Sequence, residues 1–217
     1  MEEIFEGIYS INGKIFTKNI MPGKKVYGEK LVCEKNIEYR EWNPFKSKYC
    51  AGIKKGLKKN IFKKNSTTLY LGSAEGTTVS HVSDIIGEKG IIFCVDISSI
   101  AMQKLTLLAE KRENIFPILS DANNTENYSE YIETMVDSIF QDISQRNQTE
   151  ILLKNSKYLK KNHYCILSLK TKSISQDKKE ITLNKELKKL ESVFEIEQTI
   201  NIEPFEKEHY LILLKKR

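Results

Sequence analysis

Residues Leu69-Tyr70-Leu71-Gly72-Ser73-Ala74-Glu75-Gly76-Thr77-Thr78 read as a hydrophobic strand that runs into a glycine-bearing turn and then a helix. Thr67 to Leu71 are β-branched or apolar, which suits a strand, and Gly72 and Gly76 let the backbone bend and approach a ligand where a Cβ would collide. The helix expected from Val79 to about Ile86 aims its free first N–H groups at whatever lies over the turn. One strand later, Gly90-Ile91-Ile92-Phe93-Cys94-Val95 is a second apolar run ending on Asp96, about twenty residues beyond the turn, where a carboxylate can accept both ribose hydroxyls of an adenosine. A bare Gly-x-x-x-Gly says little, but turn and acid in this order predict a nucleotide-type cofactor.

Strands and helices go on alternating outward from this stretch. A helical apolar pattern covers Ile100 to Glu110, and a third strand, Ile115 to Leu119, ends at Ser120-Asp121-Ala122. A weaker helix is expected over Asn127 to Met135, then a fourth strand, Ser138 to Gln141, delivering Asp142. A helix over Gln148 to Leu159 and a fifth strand, His163 to Leu169, deliver Lys170. A charged helix from Lys178 to Leu190 precedes two apolar runs, Phe194 to Ile202 and Tyr210 to Leu214, which lack a helix between them and should pair antiparallel. Such alternation demands a mostly parallel sheet with helices on both faces. Ligands of such sheets bind beyond the carboxyl ends of the strands, where Gly72, Asp96, Asp121, Asp142 and Lys170 all fall. Capping or turn formation explains any one of these polar ends, but not the set.

Ahead of this alternation, Ile4 to Ile8, Lys14 to Thr17 and Leu31 to Cys33 are short strand-like runs separated by Asn12-Gly13, Pro22-Gly23 and Gly28. Asn43-Pro44 breaks the chain, and a helix from Ser47 to about Lys59 should follow. The expected organisation is a small β-rich domain over residues 1–45 and an α/β domain over 46–217. Charge is uneven: residues 1–65 carry 15 Lys/Arg against 7 Asp/Glu, and the eight lysines between Lys46 and Lys64 are not offset by any acid. Ile53, Leu57 and Ile61 suggest a buried helical stripe beneath them, so the lysines could be a solvated face, but so much uncompensated charge points to an anionic partner such as nucleic acid. No apolar run is long enough for a membrane span and the first twenty residues do not read as a leader, so a cytoplasmic protein without membrane contact is expected. Cys33, Cys50, Cys94 and Cys165 and the three histidines have no metal-ligand spacing, so no metal is expected.

Five separated segments carry a closer likeness. Val26-Tyr27-Gly28-Glu29-Lys30, Tyr39 to Lys48, Leu69 to Asp84, Gln141-Asp142-Ile143-Ser144-Gln145 and Glu203 to His209 together resemble the fibrillarin family, over nearly the whole chain and in order. The glycine-arginine-rich tail of nucleolar members is absent, and Tyr39-Arg40-Glu41-Trp42-Asn43-Pro44 reads as archaeal; a eukaryotic chain that had lost the tail would instead be nucleolar. The resemblance implies a Rossmann-like S-adenosylmethionine-dependent methyltransferase fold with a mostly parallel seven-stranded sheet, its last strand antiparallel. The activity implied is ribose 2′-O-methylation of rRNA, and of tRNA, in box C/D ribonucleoproteins.

By the same resemblance, S-adenosylmethionine contacts fall on Gly72, Gly76, Thr77 and Thr78, on Asp96 and Ile97, on Asp121 and Ala122, and on Asp142, Ile143, Ser144 and Gln145. A tetrad of Lys48, Asp142, Lys170 and His209 is implied at the reacting end, with Lys170 as base, Asp142 orienting it, Lys48 holding RNA phosphate, and His209 either catalytic or structural. The family has Glu where this chain has Asp96, and Glu75 stands where relatives have a small or apolar residue. Implied partners are a box C/D guide RNA with its target RNA, a Nop-type scaffold protein and a kink-turn-binding, ribosomal-protein-like subunit.

Other readings compete on the residues. A nicotinamide oxidoreductase would use the same first strand and acid but wants the tighter Gly-x-Gly-x-x-Gly. Nucleic-acid amino-methylases carry an Asn/Asp-Pro-Pro-aromatic motif after the fourth strand, where this chain has Asp142-Ile143-Ser144-Gln145. A non-catalytic RNA-binding scaffold would keep the lysines without needing Lys48, Asp142 and Lys170 together.

Overall fold

The computed structural model describes all 217 residues. The chain opens with β1 (Glu2–Phe5), β2 (Ile8–Ile11), β3 (Lys14–Lys18), β4 (Leu31–Glu34) and β5 (Ile37–Trp42), an antiparallel sheet in the order β1-β2-β3-β5-β4. The single strand expected from Ile4 to Ile8 is a hairpin turn, because Gly7 takes a positive φ between β1 and β2. β5 was not expected from the sequence; its alternation is masked by Arg40, a charged residue that points inward and is wholly buried.

Next comes α1 (Lys48–Lys54), capped by the Ser47 hydroxyl, which accepts from the Cys50 N–H at 3.3 Å. It stops well short of Lys59, since Gly56 adopts φ +86 and turns the chain, although Ile53, Leu57 and Ile61 are all buried as their spacing suggested. The alternating region follows as β6 (Thr67–Leu71), α2 (Thr77–Ile86), β7 (Ile91–Asp96), α3 (Ser99–Ala109), β8 (Ile115–Leu119), a 3-10 segment (Thr125–Tyr131) and β9 (Val136–Gln141). It continues through α4 (Gln148–Asn155), β10 (Leu159–Lys170), α5 (Thr171–Ile174), α6 (Lys179–Leu190), β11 (Phe194–Asn201) and β12 (His209–Lys216). The helix expected over Asn127 to Met135 is the shorter 3-10 segment, and the one expected over Gln148 to Leu159 is α-helical to Asn155 and then tightens into a 3-10 turn over Ser156–Tyr158. At this junction the Asn155 side chain ties α4 to the 3-10 segment, accepting from the Tyr128 hydroxyl at 2.5 Å and donating to the Ala122 carbonyl at 3.0 Å.

The large sheet has the order β11-β12-β10-β9-β6-β7-β8, parallel throughout except β12, which runs against both β10 and β11. Apolar clusters cover both faces. One takes in α1, α2 and α3 with the small sheet, and the other holds α4, α6 and the 3-10 segment. Helix α2 is sandwiched: every residue from Val79 to Ile86 is buried. Its polar residues would face water on an ordinary surface helix. Here the small sheet lies over them and must satisfy them. Arg40 on β5 reaches Asp84 at 2.8 Å, Glu29 at 2.6 Å and the Ser80 hydroxyl at 2.9 Å. Arg112 meets the other Asp84 oxygen at 2.7 Å, and Thr17 donates to Asp84 at 2.8 Å. Because that Thr17 proton is used, His81 Nδ1 must donate to the Thr17 oxygen (2.7 Å), which leaves Nε2 to accept from Tyr27 (2.7 Å). No helix is long and apolar enough to cross a membrane.

Candidate functional site

The carboxyl ends of β6, β7, β8 and β9 open into one cleft of about 200 Å³. Its lining includes Asp96 and Ile97 after β7, Asp121 and Ala122 after β8, and Asp142 and Gln145 after β9. Gly72, Ile143 and Ser144 complete the set of expected cofactor residues that it gathers. Gly76, Thr77 and Thr78 lie outside this lining, and Ala74, Val95 and Ser120 join it without having been singled out in the sequence.

The glycines serve neighbouring backbone. A Cβ on Gly72, at φ +80, would strike the Asp142 carbonyl, so this glycine lets the loops after β6 and β9 touch. Those loops extend the strand ladder: Gly72 N donates to Val95 O and Asp142 N to Leu71 O, both at 2.8 Å. At Gly76, φ +92, a Cβ would lie 2.8 Å from Leu105 and Leu108, so the residue lets α3 pack against the start of α2. Glu75 is exposed and paired with Lys104 at 2.5 Å, away from the cleft lining.

The two acids differ in how much bonding capacity remains. Asp96 accepts from Ala74 N at 2.8 Å and from Ser98 N at 2.9 Å, so it clamps the glycine loop and keeps one further lone pair on each oxygen. Asp121 uses only Oδ1, for Asn123, and its Oδ2 is free. Asn123 is a residue the sequence did not mark. Its amide donates to Gln145 Oε1 (2.9 Å) and accepts from Asn147 (2.5 Å), stapling the loop after β8 to the loop after β9. The Ser120 hydroxyl is buried without a partner. The spare lone pairs of Asp96, the free Asp121 oxygen, an unpartnered hydroxyl and the exposed apolar Ile97 suit a nucleoside with its sugar edge toward the acids.

A second, smaller cavity of about 140 Å³ adjoins the first, and Asp142 lines both. Here Lys48 Nζ lies 2.9 Å from Asp142 Oδ2, joining residues 94 apart in the chain, with side chains 23% and 19% exposed. Thr78 donates to Ser47 at 2.9 Å, so the start of α2 is tied to the cap of α1, which carries Lys48. Thr78 therefore acts on the Lys48 side, and the first cleft does not include it. Phe45 and Glu206 stand on the same rim.

His209 pairs with Lys170 across β12 and β10. Its ring is buried, and Nδ1 lies 2.7 Å from the Lys207 carbonyl, so Nδ1 carries the proton and Nε2 a lone pair. Burial, aided by the Lys48 charge, pushes its pKa below the ordinary histidine value, which leaves a neutral ring at neutral pH. Lys170 is held by its backbone, with Gln148 bonding both its N–H (2.8 Å) and its carbonyl (3.1 Å). Its ammonium makes no ion pair, and the expectation that Asp142 orients Lys170 gives way to the Lys48–Asp142 contact.

The lysine run does not form one surface. Lys46 and Lys48 line the small cavity, whereas Lys59, Lys63 and Lys64 border a separate basin beside Ser66 and Asp137, at the opposite ends of β6 and β9. Between these poles Lys54 donates to the Gly13 carbonyl.

A family model described as Fibrillarin matches residues 1–217. A Methanococcus maripaludis (strain C5) protein named fibrillarin-like rRNA/tRNA 2′-O-methyltransferase is 44% identical over 221 residues, which cover 98% of this chain and 95% of that one. Aeropyrum pernix fibrillarin, solved with natively bound S-adenosyl-L-methionine, superposes with a TM-score of 0.84 at 35% identity, covering 93% of this chain and 88% of that one. A fibrillarin solved in complex with Nop5p gives a TM-score of 0.90 at 35% identity over 100% of both chains.

Proposed function

The chain belongs to the fibrillarin family, and from that premise we propose how its two cavities divide the work of an S-adenosylmethionine-dependent rRNA/tRNA ribose 2′-O-methyltransferase that works with a Nop-type scaffold. The larger cleft holds the cofactor, with Asp96 and Asp121 on its polar nucleoside edges, Ile97 and Ala122 on the apolar base, and Ile143 to Gln145 toward the methionine end. The fit rests on the free Asp121 oxygen and the unpartnered Ser120 hydroxyl. The smaller cavity receives the ribose.

The observation that carries this reading is the Lys48–Asp142 pair at the wall common to both. Bound in the cleft, S-adenosylmethionine supplies a methyl already activated on a sulfonium. The chain must then orient the 2′-hydroxyl and receive its proton. Asp142, held by Lys48, has lone pairs left to accept that O–H, and holding the hydroxyl in line is worth up to ~7 to 11 kcal/mol in favourable cases. Proton acceptance adds roughly 10²- to 10⁴-fold. His209 keeps a neutral ring near the pair, and Lys170, without an internal partner, is free to meet a phosphate.

The chain has no base-reading module, so target choice falls to a box C/D guide RNA, with a kink-turn-binding, ribosomal-protein-like subunit completing the particle. Methyl transfer to a guide-matched RNA oligonucleotide, with and without guide and partners, tests the reading. Activity should require the assembled particle. Efficient site-specific methylation by the chain alone at high salt would overturn this dependence, and calorimetric preference for NAD would overturn the cofactor assignment.

A further inference from the structure

Phe45 is 67% exposed on the rim of the cavity that holds Lys48 and Asp142. An exposed phenylalanine is ordinary by itself, but this ring is mounted with care. Its N–H donates to the Asn43 side chain at 2.9 Å, and Lys46 N closes the turn onto the Asn43 carbonyl at 3.0 Å. Its ring meets Phe205 edge-to-face, centroids 5.0 Å apart. Phe205 comes from the other end of the chain, is fixed by its N–H to Ile202 O at 3.0 Å, and packs on the core. Two turns 160 residues apart therefore hold one aromatic surface in place, and most of it faces solvent three residues from Lys48.

We propose that Phe45, buttressed by Phe205, is a stacking surface for an RNA base beside the reacting ribose; the inference rests on the 2′-O-methyltransferase reading above. The argument is steric and energetic. A ribose lowered toward Asp142 brings its base, or that of the adjoining nucleotide, to the cavity rim, because the glycosidic carbon neighbours the 2′ carbon. Drawing a nucleotide out of regular stacking costs a few kcal/mol unless its face meets another flat surface. Single-stranded and splayed bases are held by aromatic rings for this reason, and such stacking tolerates any base. A sequence-tolerant contact is what an enzyme needs when a guide chooses the target. Lys46 beside it supplies positive charge near the same strand's backbone.

The test is methyl transfer by the assembled particle carrying Phe45→Ala or Phe45→Trp, with 2-aminopurine placed in the RNA at or next to the target. Phe45→Ala should lower kcat/KM about tenfold to a hundredfold, the range of one lost base–aromatic stack, mostly through KM for RNA. It should leave S-adenosylmethionine affinity and particle assembly unchanged and raise 2-aminopurine fluorescence. Phe45→Trp should restore both kinetics and quenching. Wild-type kinetics in Phe45→Ala, or unchanged fluorescence, would overturn the proposal. So would loss of assembly, which would mark Phe45 as a protein contact, or loss of cofactor binding, which would mark it as structural. A wild-type particle inactive in the same assay would count against the methyltransferase reading itself.

Discussion

Asp84 and Asp142 are two carboxylates of this chain, each paired with a base from its N-terminal quarter, yet they do opposite things. Asp84 lies between the two sheets, accepts from Arg40, Arg112 and Thr17, and shares with both arginines side-chain exposures of 0–1%. Asp142 has one side-chain partner, Lys48, and about a fifth of its side chain meets solvent. The histidines divide the same way: both nitrogens of His81 are bonded, while His209 keeps Nε2 open. A saturated group is fixed in place and has no bonding capacity left for a substrate. A group with one partner is oriented and still has lone pairs for chemistry.

That contrast breaks most visibly at Asp142. Asp142→Asn should keep the fold and cofactor affinity but lose about 10²- to 10⁴-fold in single-turnover methyl transfer, since the proton acceptor is gone. Turnover within threefold of wild type would remove Asp142 from the chemistry.

At Asp84 the loss should appear in stability. Asp84→Ala leaves the buried Arg112 guanidinium without a carboxylate and Arg40 with Glu29 alone, and such a break costs about 3 to 5 kcal/mol. Urea unfolding would measure it, and a change below 1 kcal/mol would mean that water reaches the interface.

An intermediate case sharpens the comparison. Asp121 uses one oxygen for Asn123 and keeps the other free, so Asp121→Ala should weaken S-adenosylmethionine by about 1 to 3 kcal/mol in calorimetry with a small stability change. Unchanged affinity would assign Asp121 to the loop staple alone.

The smallest effect is on acid stability. Burial, with Arg40 and Arg112 nearby, holds the His81 pKa well below the ordinary value. The unfolded chain, with histidine near pH 6.5, then binds a proton that the folded chain refuses, so stability is retained above about pH 6.5 and falls as pH drops below it. From pH 6.5 to 5.5 His81 alone should remove about 1 kcal/mol. Urea midpoints for wild type and His81→Asn across this window would test it; equal slopes would dismiss His81 as the cause.

Much of this molecule is legible in its sequence. The strand Thr67–Leu71, the third strand Ile115–Leu119, the alternation after them and the polar ends Asp96, Asp121 and Asp142 are set by local rules. A strand or helix reveals its buried side through its own periodicity, and the residue after a strand stays at the rim however the strands are ordered. Sheet order is different, because it is fixed by contacts between segments far apart. Only the order β11-β12-β10-β9-β6-β7-β8, with the small sheet laid over α2, decides that Lys48 meets Asp142 while Lys170 does not. It also buries the polar side of α2 and makes Arg40 a core residue, which no periodicity could announce because Arg40's partners are 11 and 44 residues away. The eight lysines between Lys46 and Lys64 are one run only along the sequence. Folding divides it between opposite ends of the sheet, since α1 ends at Lys54, the chain turns at Gly56, and it must then cross to the start of β6.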